Sequence, residues 1–154
     1  MNCRIARSAF TMVFAAGLIM SVAARSYAED RCSLARSAGH WSLTDNGTVI
    51  GIGPRTAVGV FKLDGNGNLL NGVAASSLNG SVASETFSGT YTVNPDCSGS
   101  FDVKIYSGGV ELFELTAFTA FDNDMREMRA VFTSIVAPNG TALQSVISLQ
   151  ARKQ

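Results

Sequence analysis

Asp64-Gly65-Asn66-Gly67-Asn68 sets side-chain oxygens at alternate positions, as the first half of a calcium loop does. A complete loop would carry glycine at its sixth position and a bidentate glutamate at its twelfth. Here those positions hold Leu69 and Ala75, so the stretch reads as a tight hairpin turn. His40 is the only histidine, and its alternation with Trp41 turns it outward, away from any buried nucleophile. With two cysteines left after removal of an N-terminal leader and no second histidine, four zinc ligands cannot be assembled. Four carboxylates, Glu85, Asp102, Glu111 and Glu114, could do acid–base work if one were desolvated and its pKa raised. Glu111 and Glu114 have opposite strand parity and share a face only across a bulge. Solvated strand faces account for all four. No metal or cofactor is expected.

Apolar chemistry has more material. Trp41, Phe61, Phe87, Tyr91, Phe101, Phe118, Phe121 and Phe132 could line a cavity for a small apolar ligand. The same rings could equally fill the interior, because a small barrel can be packed solid by its own side chains.

These residues must be positioned by strands. In Phe87–Ile105, Phe87, Gly89, Tyr91 and Val93 share one face and Thr86, Ser88, Thr90 and Thr92 the other. After the turn Asn94-Pro95-Asp96-Cys97-Ser98-Gly99, residues Phe101, Val103 and Ile105 alternate with Ser100, Asp102 and Lys104. A period of two marks half-buried strands, here joined as an antiparallel hairpin. Elsewhere the alternation predicts a strand from Gly39 to Thr44, a hairpin turn at Asp45-Asn46-Gly47, and a short edge or loop from Val49 to Gly53 before Pro54. Further strands are expected at 57–63, 69–75, 110–121 (with a bulge near Phe113), 128–136 and 142–152. A polar connection is expected over 76–84, and turns at Gly108-Gly109, Asp122-Asn123-Asp124 and Pro138-Asn139-Gly140. Residues 29–37 hold at most a short helical turn. Asn-Gly-Ser/Thr triplets at Asn46, Asn79 and Asn139 read as turns, and no glycine cluster precedes a Lys-Ser/Thr pair as a phosphate loop requires.

The N-terminus has its own logic. Arg4 and Arg7, an apolar run over 9–24 and the small residues of Ser26-Tyr27-Ala28 form a secretory signal peptide, with cleavage expected after Ala28. The run is too short for a membrane span. The expected organisation is a cleaved leader over 1–28, an N-terminal segment over 29–38 and a barrel domain over 39–154. The leader removes Arg4, Arg7 and Arg25 from 12 basic residues and nothing from 12 acidic ones, leaving nine against twelve and a net charge of −3. Mild acidity gives no footprint for nucleic acid. Cys3 departs with the leader, so Cys32 and Cys97 remain. In an oxidising compartment, periplasmic or extracellular, they are expected to form one disulfide tying the N-terminal segment to the central hairpin.

About eight short antiparallel strands with short links predict an all-β domain, a single up-and-down barrel rather than the alternative β-sandwich. Gly39-His40-Trp41 resembles the Gly-x-Trp start of lipocalins and related calycin barrels. That resemblance implies a tryptophan closing the barrel floor under an arginine from near the last strand, for which Arg152 stands nearest. Val58–Ile105, with DGNGN and GTYTVNPDCSGS, resembles small exported bacterial proteins of undefined function. The leading expectation is an exported, non-catalytic barrel that binds a small apolar ligand. The rivals are a solid-core barrel acting through its surface, in the envelope or against a host, and a cofactor-free isomerase or cyclase. For the last, the calycin resemblance points first to Glu114 and Tyr91.

Overall fold

A computed structural model describes residues 31–154; the expected leader lies outside the described residues. A four-residue helix, α1 (Leu34–Ser37), precedes eight strands: β1 (Gly39–Val49), β2 (Gly53–Leu63), β3 (Asn68–Leu78), β4 (Ser81–Tyr91), β5 (Ser98–Ser107), β6 (Val110–Phe121), β7 (Glu127–Val136) and β8 (Ser145–Lys153). Each strand pairs antiparallel with its sequence neighbours, and β8 pairs with β1. The sheet is therefore a closed up-and-down barrel and not a sandwich. Closure leaves no free sheet edge. Among the described residues no helix is long and apolar enough to cross a membrane.

The strands run longer than alternation alone suggested. Asp45-Asn46-Gly47 is not a turn: β1 continues through it to Val49, and the chain reverses at Ile50–Ile52. The reason is steric. A Cβ at Gly47 would stand 2.0 Å from the Val146 carbonyl oxygen, so this glycine permits close approach of β8. The expected loop before Pro54 belongs partly to that turn and partly to β2. The expected connection at 76–84 is likewise strand, broken only by a two-residue turn at Asn79-Gly80, where both residues have positive φ.

Bulges set which side chains enter the barrel. In β3 an extra residue appears between Leu69 and Gly72, with Asn71 at φ 53°. Gly72 then faces inward beneath the Phe87 ring, where a Cβ would meet ring carbon at 2.3 Å. In β6 the register skips Leu112 against β5, which places the expected bulge one residue from Phe113. The β7–β8 ladder is the shortest, pairing Glu127–Val131 with Arg152–Ser148; above it Leu143 N–H bonds the Ile135 carbonyl instead.

The two ends differ. The floor gathers the start of β1, the ends of β2, β4, β6 and β8, and α1. Trp41 is fully buried there, stacked 6.4 Å from Phe61 and edge-on to Phe121 at 6.2 Å. Its Nε1 donates to the Ser37 carbonyl at 2.9 Å. The Cys32–Cys97 disulfide, with Cα atoms 5.1 Å apart, ties the segment before α1 to the β4–β5 turn. Arg152 does not cover Trp41, because its side chain is 77% exposed and pairs with Glu127. Trp41 faces Lys153 across the β1–β8 ladder, and Lys153 Nζ donates to the Arg36 carbonyl at 2.9 Å. Directly opposed residues share a face, so the last-strand cation on the tryptophan's side is one position later than expected.

Candidate functional site

Above the aromatic floor the interior holds a charged cluster. Arg55 on β2, Asp45 on β1 and Glu85 on β4 all point inward, because they keep parity with Ala57, Leu43 and Phe87 respectively. All three are at least 94% buried. Arg55 Nη1 and Nη2 donate to Glu85 Oε1 and Oε2 at 3.0 and 2.9 Å, a bidentate pair. Ser76 Oγ donates to Glu85 Oε1 at 2.7 Å. Arg55 Nη2 also reaches Asp45 Oδ2, at 3.4 Å, and the guanidinium carbon lies 5.7 Å from the centre of the Phe113 ring.

Glu85 is thus fully engaged and Asp45 is not. Among the described residues, the buried side-chain polar atoms without a hydrogen-bond partner are Asp45 Oδ1 and Arg55 Nε. Burial pushes the Asp45 carboxyl above its ordinary value, against the opposing pull of Arg55, and the Glu85 charge adds to the rise. Arg55 moves up despite its burial, held charged by the Glu85 hydrogen bonds and by the two carboxylates. An orphaned acceptor and an orphaned donor in one buried cluster are costly unless something meets them.

Asp45, Arg55 and Glu85 border a cavity of about 60 Å³. Its wall is otherwise apolar and includes Phe61, Phe87, Phe101 and Phe132, four of the aromatic residues expected to line one. Phe61 and Phe87 meet at 6.1 Å and carry the aromatic stack up from Trp41. The remaining four do not line it. Trp41 and Phe121 lie below, packed edge-on in the floor. Tyr91 also belongs to the floor: its hydroxyl donates to the Asp64 carbonyl at 2.6 Å, sits 2.8 Å from Ser37 Oγ and stacks its ring on Phe101. Burial raises the pKa of that hydroxyl, which therefore stays a neutral donor. Phe118 is 53% exposed, because Leu115, Ala117, Thr119 and Phe121 take the inward parity of β6.

The other expected residues fall outside the cavity. Glu114 is exposed on the outer face, where Lys104 Nζ lies 3.7 Å from it and 3.4 Å from Glu111. Glu114 and Tyr91 therefore face opposite sides of the wall and form no acid–base pair. The bulge does bring Glu111 and Glu114 to one cation, as their spacing required. His40 and Asp102 are exposed, whereas Glu85, expected on a solvated face, is buried. Asp64 spends both oxygens on its own turn, accepting from Asn66 N–H, Asn68 N–H and Asn68 Nδ2 at 2.8–2.9 Å. These bonds hold its carboxyl below the usual range and make the stretch an Asx-type turn.

No protein-family model and no curated protein matches the sequence. Solved structures do. EF1p2_mFAP2b bound to DFHBI aligns with 79% of this chain and 100% of its own, at 16% identity and a TM-score of 0.54. A redesigned β-barrel, mFAP1, bound to DFHBI aligns over 79% and 98%, at 14% identity and a TM-score of 0.51. At such identities the chain is similar to these barrels in fold.

Proposed function

We propose that this chain is an exported, non-catalytic barrel of calycin-like type whose upper interior binds a small, largely apolar ligand. The observation that carries this reading is the cavity itself: apolar rings around one buried polar cluster with two unmatched atoms. Binding sites are commonly apolar concavities with a few convergent polar groups. Its size bounds the ligand. A drug-sized molecule occupies a pocket of roughly 300–1,000 Å³, several times this 60 Å³. The ligand is correspondingly a compact molecule of a few non-hydrogen atoms. That barrels of similar fold are bound to DFHBI supports small-ligand binding by such a barrel. Export, to the periplasm or the exterior, is supported by the leader pattern of residues 1–28 and by a disulfide suited to an oxidising compartment.

One observation favours the rival, a barrel acting through its surface. Val58, Val60 and Val73 are each at least 42% exposed on the outer face of β2 and β3, with Val60 and Val73 directly paired.

Xenon separates a hollow interior from a filled one, since it enters dry apolar cavities. A saturable ¹²⁹Xe shift is expected in the folded protein, and its loss in Ala130→Leu, whose added side chain fills the cavity. A shift that grows linearly with pressure and ignores Ala130→Leu would mean a filled barrel.

A further inference from the structure

Resting on that reading, we propose that the ligand's single polar group is a neutral hydroxyl, held between Asp45 Oδ1 and Arg55 Nε. The argument is one of unmatched hydrogen-bonding capacity. Glu85 takes both Nη donors of Arg55 and the Ser76 hydroxyl, so the pair is neutral and closed to a newcomer. Asp45 contributes one long side-chain contact through Oδ2, its carboxyl also feels the Ala57 backbone N–H, and Oδ1 has no partner in hydrogen-bond geometry; Arg55 leaves Nε free. The two residues touch at 3.4 Å and line the same cavity, so both unmatched atoms belong to one small region. What completes it must donate to a carboxylate oxygen and accept from a guanidinium N–H.

A hydroxyl does both with one atom. A ligand carboxylate could accept from Arg55 but would bring a third negative group beside Asp45 and Glu85, with a single cation between them. A ligand ammonium could donate to Asp45 but has no acceptor for Arg55 Nε, and sets a second cation beside the first. A wholly apolar ligand would leave both atoms unmet. The cavity of about 60 Å³ admits roughly four to six waters' worth of volume, at on the order of 10–15 Å³ each, which suits a branched short-chain alcohol.

The test is a ¹H–¹⁵N NMR titration of the protein, disulfide intact, with three probes of similar shape: isobutanol, isobutyrate and isobutylammonium. Isobutanol is expected to give saturable shifts at Leu43, Ala57 and Leu149, leaving Gly108 unmoved, with an affinity at least tenfold above either charged probe. Asp45→Leu should weaken isobutanol at least fivefold. The wild-type ranking stands as a test even if that variant fails to fold. Preference for isobutyrate or isobutylammonium in the same cavity would overturn the hydroxyl assignment and leave the ligand-binding reading intact. No saturable shift from any probe, as when a water alone fills the site, would overturn the assignment. Coupled with a negative xenon result it would overturn the ligand-binding reading too.

Discussion

The floor and the upper interior of this barrel solve the problem of buried polarity in opposite ways. At the floor, the Trp41 indole, the Tyr91 hydroxyl and the Ser37 hydroxyl each have a partner, and a disulfide ties the segment before α1 to the β4–β5 turn. In the upper interior two buried charged groups each keep an unmatched atom beside a cavity. A structure under selection for closure alone would resemble the floor throughout. On the ligand-site proposal, the difference means that inward charge here is not a device for stability, since well-packed apolar residues usually serve that purpose as well or better.

Perturbing each end sharpens the contrast. Arg55→Ala should cost about 3–5 kcal/mol in urea unfolding, because it strands two buried carboxylates. Replacing Cys32 and Cys97 together by serine should cost about 4 kcal/mol, the loop-closure value for a separation of 65 residues. The upper site should also be the source of an unusual pH dependence. Because the folded pKa of Asp45 is raised, the folded state holds the proton more tightly than the unfolded chain. The Asp45 contribution to stability is thus fully present at low pH, declines as pH rises from about 4 towards the folded pKa, and is level beyond it. Asp45→Asn should remove that decline from a stability–pH curve; an unchanged curve would place its origin elsewhere. Smallest of all, Phe118→Ala should shift stability by no more than about 0.5 kcal/mol, as expected of an outward side chain away from any buried network.

Much of this was legible in the sequence. Period-two alternation and turn residues suffice for a closed eight-stranded barrel, because an antiparallel sheet with one apolar face must bury it and remove its edges. Four of the cavity's aromatic residues follow from the same parity. The charged cluster did not emerge, for two local reasons. Asn46-Gly47 carries the strongest short signal for a turn, which puts Asp45 in a loop, yet Gly47 serves the close approach of Val146 within a continuous strand. Pro54 likewise read as a strand boundary and cut Arg55 from the parity of Ala57. Glu85 borders the expected connection at 76–84 and reads as part of a solvated strand face. Carrying the alternation of each neighbouring strand two residues further would have turned all three inward. Phe118 shows the converse: an aromatic residue invites a core assignment, but the parity of Leu115 and Ala117 turns it out. Depth along the barrel is harder still, since nothing local separates the floor position of Tyr91 from the cavity position of Phe87.

The measurement that bears most directly on this contrast is urea unfolding of the triple variant Asp45→Leu, Arg55→Met, Glu85→Leu, read alongside its isobutanol titration. The cluster is proposed as a ligand site maintained at no gain in stability. The triple variant should therefore be at least as stable as the wild type, while isobutanol binding is lost. A variant destabilised as severely as Arg55→Ala, or one that binds isobutanol unchanged, would contradict the account.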